Sequence, residues 1–138
     1  MDKNQLAEIL NKTVGKISKI IEGVNYAKVH HKSSVVITCC ANAAYDLKEI
    51  QKDLTELAAQ LTAEEKQISD DLNQSAGELD GAIENLDYAK VHYKSTAVIT
   101  SCGSAVEKLN DIQKKLLTTI AKAGSVSEEQ NEPEGLGM

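Results

Sequence analysis

The sequence predicts an all-α fold, an antiparallel four-helix bundle made of two tandemly duplicated helical hairpins. Three observations carry this. A segment of the chain recurs at a constant offset of 62 residues; apolar residues in both copies are spaced three and four apart; and among 138 residues Phe and Trp are absent while Pro occurs once, at Pro133. A core without large rings has to be filled by Leu, Ile, Val and Ala, which helix-on-helix packing does readily. Before Pro133 no ring forbids a helix.

Residues 26–40 (YAKVHHKSSVVITCC) and 88–102 (YAKVHYKSTAVITSC) are identical at eleven of fifteen positions. The match extends more weakly outward. Leu10, Asn11, Gly15, Ile21 and Glu22 recur as Leu72, Asn73, Gly77, Ile83 and Glu84. Leu47, Ile50, Gln51, Lys52 and Leu54 recur as Leu109, Ile112, Gln113, Lys114 and Leu116. The units run over about residues 3–61 and 65–123.

The first helix is predicted by Leu6, Leu10, Val14, Ile17, Ile21 and Val24, a 3/4 spacing that puts them on one face. The second seam reads Tyr26, Val29, Ser33, Val36, Cys40, Ala43, Leu47, Ile50, Leu54, Leu57 and Leu61. These two seams are out of phase by about 120° between Val24 and Val36, so the chain turns between them. One reading puts the turn at Gly23-Val24-Asn25, with Asn25 as N-cap. The other puts it at Lys32-Ser33-Ser34, with a hydroxyl capping the next helix. The second gives helices of similar length near 3–31, 34–61, 64–93 and 96–123 and is preferred. The first gives long, unequal hairpins that would complete a bundle as a dimer. Thr62-Ala63-Glu64-Glu65 reads as a capping box between the repeats. The third helix repeats the first seam as Ile68, Leu72, Ala76, Leu79, Ile83 and Leu86. The fourth repeats the second from Tyr88, Val91 and Ser95 through Cys102 to Ala123. Residues 1–124 thus form the bundle, and 125–138, with four glutamates and Pro133, read as a disordered acidic tail.

The net charge is −6, and all fifteen basic residues are lysines. Without the planar fork of Arg, and with this charge, nucleic acid is excluded as the main partner. No apolar run approaches the roughly 18 residues that a membrane helix needs. Three cysteines, two of them adjacent and none in a C-x-x-C spacing, read as reduced thiols. With no leader-like N-terminus, the expectation is a cytoplasmic protein.

Up-down-up-down topology brings the first and third turns to one end of the bundle. That end collects Tyr26, Lys28, His30, His31 and Lys32 from one repeat and Tyr88, Lys90, His92, Tyr93 and Lys94 from the other. These ten residues are the candidate binding site, a basic end suited to an acidic helix or an anion. No Glu-x-x-His occurs, so the histidines do not form a di-iron type of site, and neither metal nor cofactor is expected. Cys40 and Cys102 occupy equivalent seam positions and should approach in the core. The stretches 33–45 and 95–106 carry no charge and are suited to burial or to self-association. No catalytic constellation is present, and the expectation is not an enzyme. The functional expectation is a helical protein–protein interaction module, an adaptor, chaperone-like factor or inhibitor, binding another protein or itself. The alternatives are a bundle holding a small anion or metal at the histidine end, and an assembling structural or membrane-active helical protein.

Overall fold

Uninterrupted 3/4 spacing produces four long helices. The computed structural model describes residues 2–30, 32–92 and 94–131. Helix α1 spans Lys3–His30, α2 Ser33–Ala59, α3 Lys66–Val91 and α4 Ser95–Asn131, with one 3-10 turn, Ala63–Glu65, before α3. The helices form a closed antiparallel ring in which α2 packs on α3, α3 on α4 and α4 back on α1, so a single chain completes the bundle. The dimer-completed arrangement is therefore not the one adopted.

In the first repeat the chain reverses between the end of α1 at His30 and the start of α2 at Ser33, and α1 passes through Gly23-Val24-Asn25 unbroken. The reason is packing. Val24 is fully buried, as is its repeat mate Leu86, so both belong to helical seams and neither sits in a loop. The expected hydroxyl cap is absent: Lys32 is the N-cap of α2, and its side chain makes no capping bond. The middle connection does use a side chain. The Thr62 backbone N–H donates to Glu65 Oε1 at 3.0 Å, and the Thr62 hydroxyl donates to the same oxygen at 3.1 Å. Lys3 pairs with Glu65 at 3.8 Å, which ties the start of α1 to the start of α3. Helix α4 continues past Gly124 to Asn131. Nothing sterically stops a helix before Pro133, so residues 125–131, expected in the acidic tail, extend α4. Residues 132–138 of that tail lie outside the described residues.

The core runs the length of the ring. In α1 it uses Leu6, Leu10, Thr13, Ile17, Ile20, Val24 and Ala27. Val14 and Ile21, expected in that seam, are only partly buried against it. In the second seam Tyr26, Val29 and Ser33 are displaced by the turn, and burial starts at Val36. Ser75 and Thr119 are buried among the apolar side chains, and the Thr119 hydroxyl donates to the Lys115 carbonyl at 3.0 Å, which satisfies it.

The duplication is a symmetry in space. Gln51 on α2 donates to the Ala76 carbonyl on α3 at 2.7 Å and to Asp80 Oδ1 at 2.8 Å. Its repeat mate Gln113 on α4 donates to the Val14 carbonyl on α1 at 2.9 Å and to Ser18 Oγ at 2.7 Å. Every residue in the second contact is the 62-residue counterpart of one in the first, with the Ser18 hydroxyl standing where Asp80 offers a carboxylate. Two consequences are measurable. Gln51→Ala and Gln113→Ala are each expected to cost about 0.5–1.5 kcal/mol, and the double variant their sum, in urea unfolding. Glu65 is held below the usual carboxylate range, chiefly by the Thr62 backbone N–H and further by the Thr62 hydroxyl and Lys3, against its desolvation. A depressed carboxyl stabilises the fold above its ordinary value and loses that contribution as pH falls through the lowered one. Glu65→Ala should therefore cost about 0.3–1.5 kcal/mol at neutral pH, with the difference from wild type vanishing in strong acid.

Candidate functional site at the paired basic turns

The last turns of α1 and α3 share one end of the ring, opposite the Lys3–Glu65 pair. On α1 the core seam steps from Val24 to Ala27. Tyr26 and Val29 lie about 160° and 140° from Val24 around the helix, so both rotate outward. Tyr26 is 51% exposed and Val29 67%; Tyr88 and Val91 match them at 52% and 64%. All four are exposed at that end, and all four stood in the expected core seam. The signal that could have placed them outside was the phase of Val24 and Leu86.

Each histidine of the repeat closes its own helix. His30 lies over Tyr26 with ring centroids 3.8 Å apart and planes at 26°. Its Nδ1 is 3.0 Å from the Tyr26 carbonyl, and since a carbonyl only accepts, Nδ1 carries the proton. The Tyr26 carbonyl, in the last turn of α1, thus also accepts from the His30 ring. His92 lies over Tyr88 at 4.3 Å and 32°, and its backbone N–H donates to the Tyr88 carbonyl at 2.8 Å. The repeated Tyr-x-x-x-His spacing is thus an i,i+4 stack that finishes a helix and still shows a tyrosine face to solvent.

The lysines divide into two kinds. Lys32 and Lys94 are exposed and open α2 and α4, their carbonyls accepting from the N–H groups of Val36 and Val98, both at 2.9 Å. Lys28 and Lys90 are half-buried. Lys90 pairs with Asp87 on its own helix at 3.7 Å. Cys40 and Cys102 meet inside the ring with Sγ atoms 3.8 Å apart, both fully buried, as expected from their equivalent positions. The charge of Lys90 acts on Cys40 and that of Lys28 on Cys102. Lys28 and Lys90 thus lie at the end of the ring where the two thiols meet. The S–H···S contact with Cys102, followed by burial, pushes the Cys40 thiol well up, and the same contact draws the Cys102 thiol down against its burial. His31 and Tyr93 of the expected site lie outside the described residues.

The interior beneath this end is filled. Val36, Val98, Cys40 and Cys102 are all fully buried, leaving the end a surface and not a chamber. Among the described residues no three His, Cys, Asp or Glu side chains gather as metal ligands. No helix among them is long and apolar enough to cross a membrane. Comparison with protein-family models, curated proteins and solved structures finds no match, so function rests on this chain's own residues.

The thiol environment has an observable consequence. Cys39 is only partly buried, whereas Cys40 and Cys102 are sealed. A thiol reagent added to the folded chain should modify Cys39 first, and Cys40 and Cys102 only at the rate of unfolding. Prompt labelling of all three would contradict the closed core.

Proposed function

We propose that this chain is a helical protein–protein interaction module whose contact surface is the end carrying the two basic turns. The observation that carries the reading is the matched exposure of Tyr26 with Val29 and of Tyr88 with Val91. Both repeats keep these apolar side chains at a helix end where the core does not use them. Around them stand Lys28, Lys32, Lys90 and Lys94. Exposed tyrosine set among lysines on a rigid base is the composition of a contact patch for an acidic amphipathic helix. The rings supply area at little entropic cost, and the lysines supply steering and register. The ring–imidazole stacks hold Tyr26 and Tyr88 in place before contact, which reduces the ordering cost of association.

The filled interior favours this reading over an enclosed ligand: a small anion would have only a solvated surface here, unlike the concave, mostly apolar pockets that hold small molecules. An enzymatic role has the same difficulty. An adaptor, chaperone-like or inhibitory role needs only the surface.

The test uses the full chain and an amphipathic helical peptide with glutamates along one edge, followed by NMR. Shifts are expected at Tyr26, Val29, Tyr88 and Val91. Binding should weaken as salt rises, since exposed charges are screened over about 8 Å at physiological ionic strength. Tyr26→Ala with Tyr88→Ala should abolish the shifts, while leaving stability nearly unchanged. Lys32→Ala with Lys94→Ala should weaken binding and flatten its salt dependence. Undiminished binding in both variants would put the contact elsewhere.

A further inference from the structure

The two hairpins differ where they should be alike. Across α3 and α4, Lys115 pairs with Glu78, Lys108 donates to Asn85 Oδ1 at 2.8 Å, and Lys122 pairs with Asp71 at 2.8 Å. Lys108 reaches Asn85 by lying over Gly81, whose missing side chain would meet it at 3.4 Å. The counterparts across α1 and α2 are Lys16 with Asp53, Gly23 with Asp46, and Ile9 with Gln60. The sign of the first pair is reversed, and the other two links are gone. Among the described residues, none of Lys16, Lys19, Asp46, Glu49 and Asp53 makes an ion pair.

What stands between α1 and α2 is a groove of about 430 Å³ with Lys16 and Lys19 on one lip and Asp46, Glu49 and Asp53 on the other. Its floor is apolar, made by Ile20 and Ile50. Beside the acidic lip Tyr45 is 64% exposed, and near the far end of α1 Ile9 is 40% exposed. One lip positive and one negative at the same level is a self-complementary pattern. A twofold axis parallel to the helices, placed between the α1/α2 layers of two copies, keeps every residue at its own level. It lays each α1 over the partner's α2. The lysines of one copy then face the carboxylates of the other, twice over, as an isologous contact requires.

We propose that the α1/α2 face is a homodimer interface, its occupant a second copy of this chain. Tyr45, with no role in the core, supplies the aromatic anchor on each side, and the five unpaired charges set the register. This face lies along the side of the bundle, apart from the basic end, and neither reading depends on the other.

Sedimentation of the full chain over a concentration series tests it. The wild type is expected to dimerise reversibly. The Lys16→Glu/Lys19→Glu variant and the Asp46→Lys/Asp53→Lys variant should each dimerise at least about tenfold more weakly, because each puts like charges opposite one another at two places. Mixed together, the two variants should form a heterodimer of near wild-type strength, since each copy's altered helix then meets its complement. Recovery in the mixture also rules out misfolding as the cause of either loss. Tyr45→Ala should weaken the dimer without altering helicity. A wild type that stays monomeric at its highest soluble concentration overturns the proposal and leaves the groove to another protein or a small ligand. A dimer indifferent to both charge reversals, or reversed variants that fail to complement, overturns it equally.

Discussion

The packing of α2 on α3, repeated as α4 on α1, is the interaction on which the rest of the molecule depends. Each interface buries Leu and Ile at helical spacing, and a fully buried side chain of that kind stabilises by about 1.5–3 kcal/mol. The side chains are small enough for axes to approach closely, and glutamine amides then reach across to backbone carbonyls. Because the two interfaces are counterparts, the ring closes with an approximate dyad, and the sulfur atoms of Cys40 and Cys102 meet 3.8 Å apart inside it. A hairpin taken alone would leave the seam of its second helix bare.

That closure sorts the remaining features into those under constraint and those released from it. Inside, several counterparts are identical: Val36 with Val98, Leu47 with Leu109, Ile50 with Ile112. At the basic end the helix-closing stacks Tyr26–His30 and Tyr88–His92 also stay alike, since both helices end the same way. Along the outer seam within each hairpin, no such demand acts. There the second repeat has laced its helices together with lysines, while the first carries opposite charges on the two edges of an open groove. Buried counterparts that differ, such as Ile17 with Leu79 and Val24 with Leu86, stay apolar, whereas this outer seam changes the sign of its charges.

Architecture was largely legible in the sequence because periodicity and duplication report burial directly. The 62-residue offset predicted the pairing of Cys40 with Cys102, and Thr62 with Glu65 marked the middle connection. The turn in the first repeat was harder, since Gly23 and Asn25 carry stronger turn signals than His31 and Lys32. Burial of Val24 overrode those local preferences. The same ambiguity put Val29 and Val91 into the core seam, because a 3/4 run read across a turn continues on paper though the helix axis has reversed. Of the candidate site, the convergence of the two turns followed from topology. The proton on His30 Nδ1, the half-burial of Lys28 and Lys90, and the opened first hairpin did not, because each depends on how two helices from distant parts of the chain are set.

The equivalence of the two glutamine contacts has a topological corollary. The link joining α2 to α3 and the gap separating α4 from α1 occupy corresponding places in the ring, at the end where Lys3 meets Glu65. The polypeptide's point of entry is then a matter of covalent bookkeeping, one of two interchangeable breaks in a circular arrangement. A permuted chain opened in the middle connection, with the end of α4 joined to the start of α1, would enclose the same interior. So would a pair of separate hairpins, which makes the present single chain the fused form of what two identical half-length molecules could build by association.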